Sequence, residues 1–214
     1  MEANMEKLLK NGIAQGFCNI CYALAISDFG KQHIKLLVEM WNRAVQMDVS
    51  NSSKEMLSQL AQVEAFMKAD RIDLEEPPSE LRLRMVSIVE KDNTVSRSHA
   101  QISGMLTKLG FIHENEVPPL EEWVMGSMLA IDMACPKQKI AIEFDGPSHY
   151  LKSVGTGDVT RLENGATKAK RRFLERVGWK VINLNYQDWI EVRHNKSEGI
   201  LFLKKKLSDA GVKL

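Results

Sequence analysis

The chain has 214 residues, with 29 Lys and Arg against 28 Asp and Glu, 44% hydrophobic and 27% charged. That is the composition of one or two small globular domains, and it excludes a disordered or fibrous protein. No apolar run approaches the roughly 20 residues that cross a bilayer, so no membrane partner is expected. Three cysteines, Cys18, Cys21 and Cys135, cannot build a disulfide framework in a chain this size, which points to a reducing compartment. Glu2 and Glu6 come early and the first arginine is Arg43, so an import peptide is expected to be absent or already removed. The balanced charge hides a gradient. Residues 1–75 carry 8 basic and 10 acidic side chains, residues 76–136 carry 5 and 9, and residues 137–214 carry 16 and 9. The C-terminal third is a basic module suited to a polyanion.

Residues 1–74 read as helical and repeat-like. Leu9, Ile13, Phe17, Ile20, Cys21, Leu24 and Ala25 recur at steps of three and four, and Asp28-Phe29-Gly30 supplies a stop. Ile34, Leu37, Val38, Trp41 and Val45 predict a second helix, and a third runs from about Ser52 to Phe66. Such pairs are the unit of an α-solenoid, which stacks to cover its apolar face. The stripe through Phe17, Ile20, Leu24, Leu37 and Trp41 is therefore expected to lie against a partner, and the net acidity favours protein as that partner. Cys18 and Cys21 have metal spacing without a second pair, and burial is the expected reading.

Residues 75–92 read as a linker and short helix. Asp73 to Ser79 combines acid with two prolines, and Leu81 to Val89 is helical. Residues 93–214 read as a small α/β domain with a mixed sheet, so the whole chain is α+β. Asp92-Asn93-Thr94 is expected to cap a helix from about Val95 to Leu109, closed by Gly110. Strands follow at Phe111 to Glu114, Met128 to Cys135 and Lys139 to Asp145, with a turn at Pro136-Lys137-Gln138. Then come a helix from Thr167 to Val177, a strand from Val181 to Tyr186 and a helix from Ser197 to Asp209. The loop Ser153 to Glu163 is too polar to pack.

A hairpin brings Asp132 beside Glu143 and Asp145 at one end of the sheet, within reach of His149 beyond the Gly146-Pro147 turn. Carboxylates so grouped hold Mg²⁺, which activates water against a phosphodiester. Lys168, Arg171, Arg172 and Arg176 are spaced by three and four and predict a basic helical stripe, with Ala166, Phe173 and Val177 facing the sheet. Lys152 and Arg161 from the preceding loop join it as candidates for gripping a polyanion backbone, and Lys170 lies on the same helix. The helix start at Asn164-Gly165-Ala166-Thr167 is itself suited to phosphate. Trp189 and Tyr186 can stack on bases, though a core anchor is the stronger expectation for Trp189.

IAIEFDGPSHY, from Ile140 to Tyr150, and NGATKAKRRFLERVGWKVINLNYQDW, from Asn164 to Trp189, resemble the RAP domain. The resemblance covers roughly Ile131 to Leu207 and implies a restriction-endonuclease-like fold and a place in organellar RNA handling. It implies a noncatalytic RNA-binding protein, mitochondrial or alternatively of a plastid, acting on rRNA or another transcript, with a stable place in the mitochondrial ribosome as one setting. No cofactor is expected in that role. The alternative is a Mg²⁺-dependent nuclease using Asp132 and Glu143. Against it, Asp145 stands where such nucleases carry lysine, the preceding helix offers His99 and Gln101 in place of an acid, and the lysine has to come from Lys168 or Lys170.

Overall fold

The computed structural model describes residues 12–27, 31–47, 52–89, 96–120 and 129–213. The described residues divide into two compact units, one over residues 12–89 and the other over residues 96–213. In the first, α1 (Ala14–Ile26) packs against α2 (Ile34–Gln46) and α3 (Lys54–Ala69), and α3 packs against α4 (Ser79–Val89). The Ser53 hydroxyl caps α3 by accepting the Met56 N–H. The expected stop at Asp28-Phe29-Gly30 and the start at Leu9 lie outside the described residues.

Three of the five stripe residues are covered by the chain itself, while Ile20 and Leu24 are half-buried. Phe17, Leu37 and Trp41 are buried together with Leu60, Val63 and Phe66 of α3. The expectation that this stripe needs a partner is thereby corrected: four helices close a core that α1 and α2 alone leave open. We expect strong amide protection across residues 14–26, 34–46 and 54–69 in the isolated chain. Exchange at unprotected rates in these helices would contradict a self-sufficient core. The two cysteines are buried thiols, as their place in the stripe suggested. Cys18 donates to the Gln59 carbonyl at 3.3 Å and Cys21 to Leu37 O at 3.6 Å, and burial pushes Cys18 up to about 12. Thiols held protonated in this way are poor metal ligands.

The stretch read as a separating linker is fastened to these helices. Trp41 Nε1 donates to Glu75 O at 2.7 Å, Gln46 donates to the Glu75 carboxylate at 3.0 Å, and Pro77 is buried. Arg82 then grips Glu64 through both carboxylate oxygens, each at 2.7 Å, and also pairs with Glu76. Polar and proline-rich composition correctly stopped α3, but it does not reveal that a buried indole N–H requires an acceptor.

The second unit opens with α5 (Arg97–Lys108), capped by Ser96, whose hydroxyl accepts the His99 N–H. Asp92 to Thr94, the expected cap, lie outside the described residues. Strands β1 (Glu114–Val117), β2 (Ile131–Cys135) and β3 (Ile140–Asp145) form an antiparallel meander. A short 3₁₀ turn at Pro136–Gln138 joins β2 to β3 and ends on Lys139 in the left-handed region. A hairpin of β4 (Tyr150–Lys152) and β5 (Val159–Glu163) follows, then α6 (Gly165–Arg176), then β6 (Lys180–Asn185), which pairs parallel to β3. The main sheet therefore runs β1-β2-β3-β6. Helices α7 (Tyr186–Val192) and α8 (Lys196–Asp209) complete the unit.

This is the mixed sheet expected, with two shifts. The first strand sits three residues later than predicted, because Phe111 turns into the core while Ile112 stays exposed. The polar loop is partly a strand, since β5 pairs with β4. One sheet face carries Ile140, Ile142, Met133, Ile182 and Leu184 against Ile102 and Leu106 of α5 and Leu203 and Leu207 of α8. The other presents Glu143 and Asp145 toward α6. A strand covered on both faces reads as a nearly continuous apolar run, and the two carboxylates are the exceptions in it.

Candidate nucleic-acid interface and carboxylate site

The hairpin register places Asp132 directly across from Glu143, since Met133 pairs with Ile142 and Ala134 with Ala141. Glu143 in turn pairs with Asn183 of β6. A polar row thus crosses the sheet. Asp132 Oδ2 accepts the Phe144 N–H at 2.8 Å, which fixes one oxygen. Glu143 is 5% exposed. Its Oε2 receives Lys170 Nζ at 2.5 Å, and the same ammonium donates to Ala130 O at 2.7 Å. Its Oε1 is buried with no donor among the described residues.

Burial pushes the Glu143 carboxyl above the usual carboxylate range, while the Lys170 charge pulls it back. Burial likewise works to lower Lys170, but Glu143 and Asp132 outweigh it and hold the ammonium. Lys170 therefore serves a buried carboxylate and is not part of an outward basic surface. Its expected role in gripping RNA is corrected: the helix turn that carries Phe173 inward carries Lys170 with it. Ala166, expected against the sheet, is exposed, whereas Thr167 is buried.

Asp145 and His149 meet, as the turn predicted. His149 Nδ1 lies 3.0 Å from Asp145 Oδ1 and 3.1 Å from the Thr167 hydroxyl, and Asn183 donates to Asp145 Oδ2 at 2.7 Å. Both oxygens of Asp145 are thus engaged by side chains. The Asp145 hydrogen bond holds His149 above its ordinary value of 6.5, against the pull of burial. A histidine raised on folding contributes stability that is fully present below its unfolded value and fades as pH climbs through the folded one. His149→Gln is expected to lower the thermal midpoint more at about pH 6 than at about pH 9. Equal losses at both pH values would exclude this coupling.

A cavity of about 540 Å³ opens beside these groups, lined in part by His99, Glu116, Asp132, His149, Tyr186 and Arg193. His99 from α5 and Glu116 from β1 come to Asp132 here. Sequence reading noted His99 as standing where an acid is common, and it missed Glu116. Strand β1 has four residues and its Glu116 takes φ 54°, so no alternation marks the position. Gln101 is turned elsewhere and donates to Arg193 O at 2.8 Å.

The basic stripe on α6 is only partly free to meet an anion. Arg171 grips Glu163 through two bonds of 2.7 and 2.6 Å, and Arg161 donates to Asp188 at 2.8 Å. Arg172 and Arg176 are half-buried, and Lys152 and Lys168 are exposed with no carboxylate partner among the described residues. The helix start is capped by Asn164, whose carbonyl accepts the Thr167 N–H at 2.9 Å, so one of its free donors is already used. Trp189 is fully buried against Phe202, with ring centroids 6.2 Å apart, and no base can stack on it.

A stretch of the chain is similar to "RAP domain-containing protein, chloroplastic" of Oryza sativa subsp. japonica, at 32% identity over 77 residues. That stretch is 36% of this chain and 11% of the relative. It is also similar to "FAST kinase domain-containing protein 5, mitochondrial" of Homo sapiens, at 32% identity, and of Pongo abelii, at 33%, each over 76 residues. Those stretches are 35% of this chain and 9% of each relative. Residues 142–206, from the Glu143 strand through the α6 stripe and the buried Trp189 to the last helix, match the RAP domain.

Proposed function

We propose that the chain is a noncatalytic RNA-binding protein of an organelle, taken here as the mitochondrion with the plastid as the alternative. The observation that carries this reading is the RAP match over residues 142–206, which falls on the most basic part of the chain. The relatives named mitochondrial and chloroplastic support an organellar setting. Among the described residues no helix is long and apolar enough to cross a membrane.

Lys152 and Lys168 are the phosphate contacts, with Arg172 and Arg176 extending them along α6, and a ribosomal RNA or another organellar transcript is the ligand. Protein partners in a ribonucleoprotein such as the mitochondrial ribosome meet the outer faces of the N-terminal helices, since the inner faces are covered. Replacing Lys152 and Lys168 by Ala is expected to weaken binding across RNA sequences and to lower the salt slope by about one to two units. An unchanged affinity and slope in the folded double variant would rule these contacts out. RNA cross-linked to the protein in its native organelle and sequenced tests the whole reading, and recovery of no organellar transcript would overturn it.

One observation favours the nuclease alternative. Lys170 places an ammonium on Glu143 and so supplies the cation that β3 itself lacks. Among the described residues Asp132 and Glu143 each keep one oxygen without a donor, and these residues fit a Mg²⁺ ion, which would supply an activated water. RNA cutting by the purified chain with Mg²⁺, abolished by Asp132→Asn while binding persists, would establish this reading. No cutting by the unaltered chain would remove it.

A further inference from the structure

The cavity beside Asp132 holds a donor set of which the readings above use Asp132 alone. His99, which is 6% exposed, faces Glu116 Oε1 through Nδ1 at 3.5 Å and Asn115 Oδ1 through Nε2 at 3.3 Å. One ligand atom from each of His99, Glu116 and Asp132 can be chosen so that all lie within 4.8 Å of one another. Two donors 3.5 Å apart subtend an angle near tetrahedral at a shared ion about 2.1 Å from each.

The imidazole is arranged as a ligand would be. Asn115 Oδ1 accepts only from a protonated Nε2, and in the neutral ring that leaves the lone pair on Nδ1, facing Glu116. Outer partners of this kind fix the tautomer and aim of metal-bound histidines. Glu143, across from Asp132 in register, has one oxygen buried without a donor among the described residues, and the neighbouring ammonium of Lys170 donates to Glu143 and Ala130 O.

We propose that His99, Glu116 and Asp132 bind a divalent transition-metal ion at the wall of this cavity. One nitrogen and two carboxylates favour the manganese-to-zinc series over Mg²⁺, which prefers all-oxygen sites and sheds water reluctantly. The open cavity leaves room for water on the ion. The site stands apart from RNA binding, and it differs from the Mg²⁺ reading in its nitrogen donor, with Asp132 common to both.

The experiment titrates Mn²⁺ into the purified full chain and follows free Mn²⁺ by electron paramagnetic resonance, with pulsed measurements on the bound ion. The expected result is one ion per chain, coupled to an imidazole nitrogen and poorly displaced by excess Mg²⁺. Glu116→Gln and His99→Gln are each expected to weaken Mn²⁺ by about tenfold or more. An unaltered chain that leaves Mn²⁺ and Zn²⁺ free would overturn the proposal and reduce His99 and Glu116 to an ion pair. Bound Mn²⁺ without nitrogen coupling, or affinity unchanged in both folded variants, would overturn it equally. The nitrogen signal is read on the unaltered chain, so the proposal is decided even where a variant fails to fold.

Discussion

Lys170→Ala is expected to destabilise the C-terminal unit by about 3–5 kcal/mol, because it leaves a buried carboxylate with neither oxygen paired. Glu143 is 5% exposed and already carries one oxygen without a donor among the described residues. Removing the ammonium 2.5 Å from the other takes away the charge that offsets its desolvation. The carboxyl then responds by protonating, its folded pKa rising further above the unfolded one. A carboxyl raised in this way is tolerated below its unfolded pKa and penalised as pH climbs through the folded value, so the loss should shrink in acid. The double change Lys170→Met with Glu143→Leu removes both charges and should recover most of the stability. Denaturant unfolding of the two variants at neutral and acid pH checks this. A single variant as stable as the parent would mean that the pair is solvated and that Lys170 is available to RNA after all.

Trp189→Ala is expected to cost about 3–5 kcal/mol, the loss typical of a large aromatic removed from a closed core. Trp189 is fully buried, touches Phe202, and lies where a Cβ on Gly199 would meet its ring at 3.6 Å. Its indole N–H is buried without an acceptor among the described residues. Trp189→Phe discards that unmet donor along with some volume, so its cost should fall well below that of alanine. Thermal unfolding orders the three proteins. If instead both variants kept their stability and lost RNA affinity, Trp189 would be a base-stacking residue and its burial would be a misreading.

How far the sequence reached depended on what each position needed to be seen. The Asp132 and Glu143 pairing was legible because a tight turn between two period-two runs fixes the register of everything near it. The Asp145 and His149 contact was legible for the same local reason. The orientation of α6 was not. Basic residues at steps of three and four define a stripe, but they do not say which flank turns inward, and the hydroxyl of Thr167 bonding to His149 settles the rotation. Hence spacing alone groups Lys170 with the RNA contacts although it belongs to Glu143. Ion pairs such as Arg171 with Glu163 are equally hidden, since each partner looks like an ordinary solvated charge. Glu116 left no trace at all, because a four-residue strand with a left-handed residue in it has no pattern to read.

The clasp between Trp41 and Glu75 bears on where this polypeptide can be divided. A fragment ending at residue 74 keeps three helices yet strips the indole of its acceptor and Gln46 of its carboxylate, and it leaves Glu64 without the arginine that grips it. Pro77, Arg82 and α4 belong to the same folding piece as the helices before them. A cut after residue 89 respects every one of these bonds, whereas a cut at the prolines, where composition invites it, severs a seam.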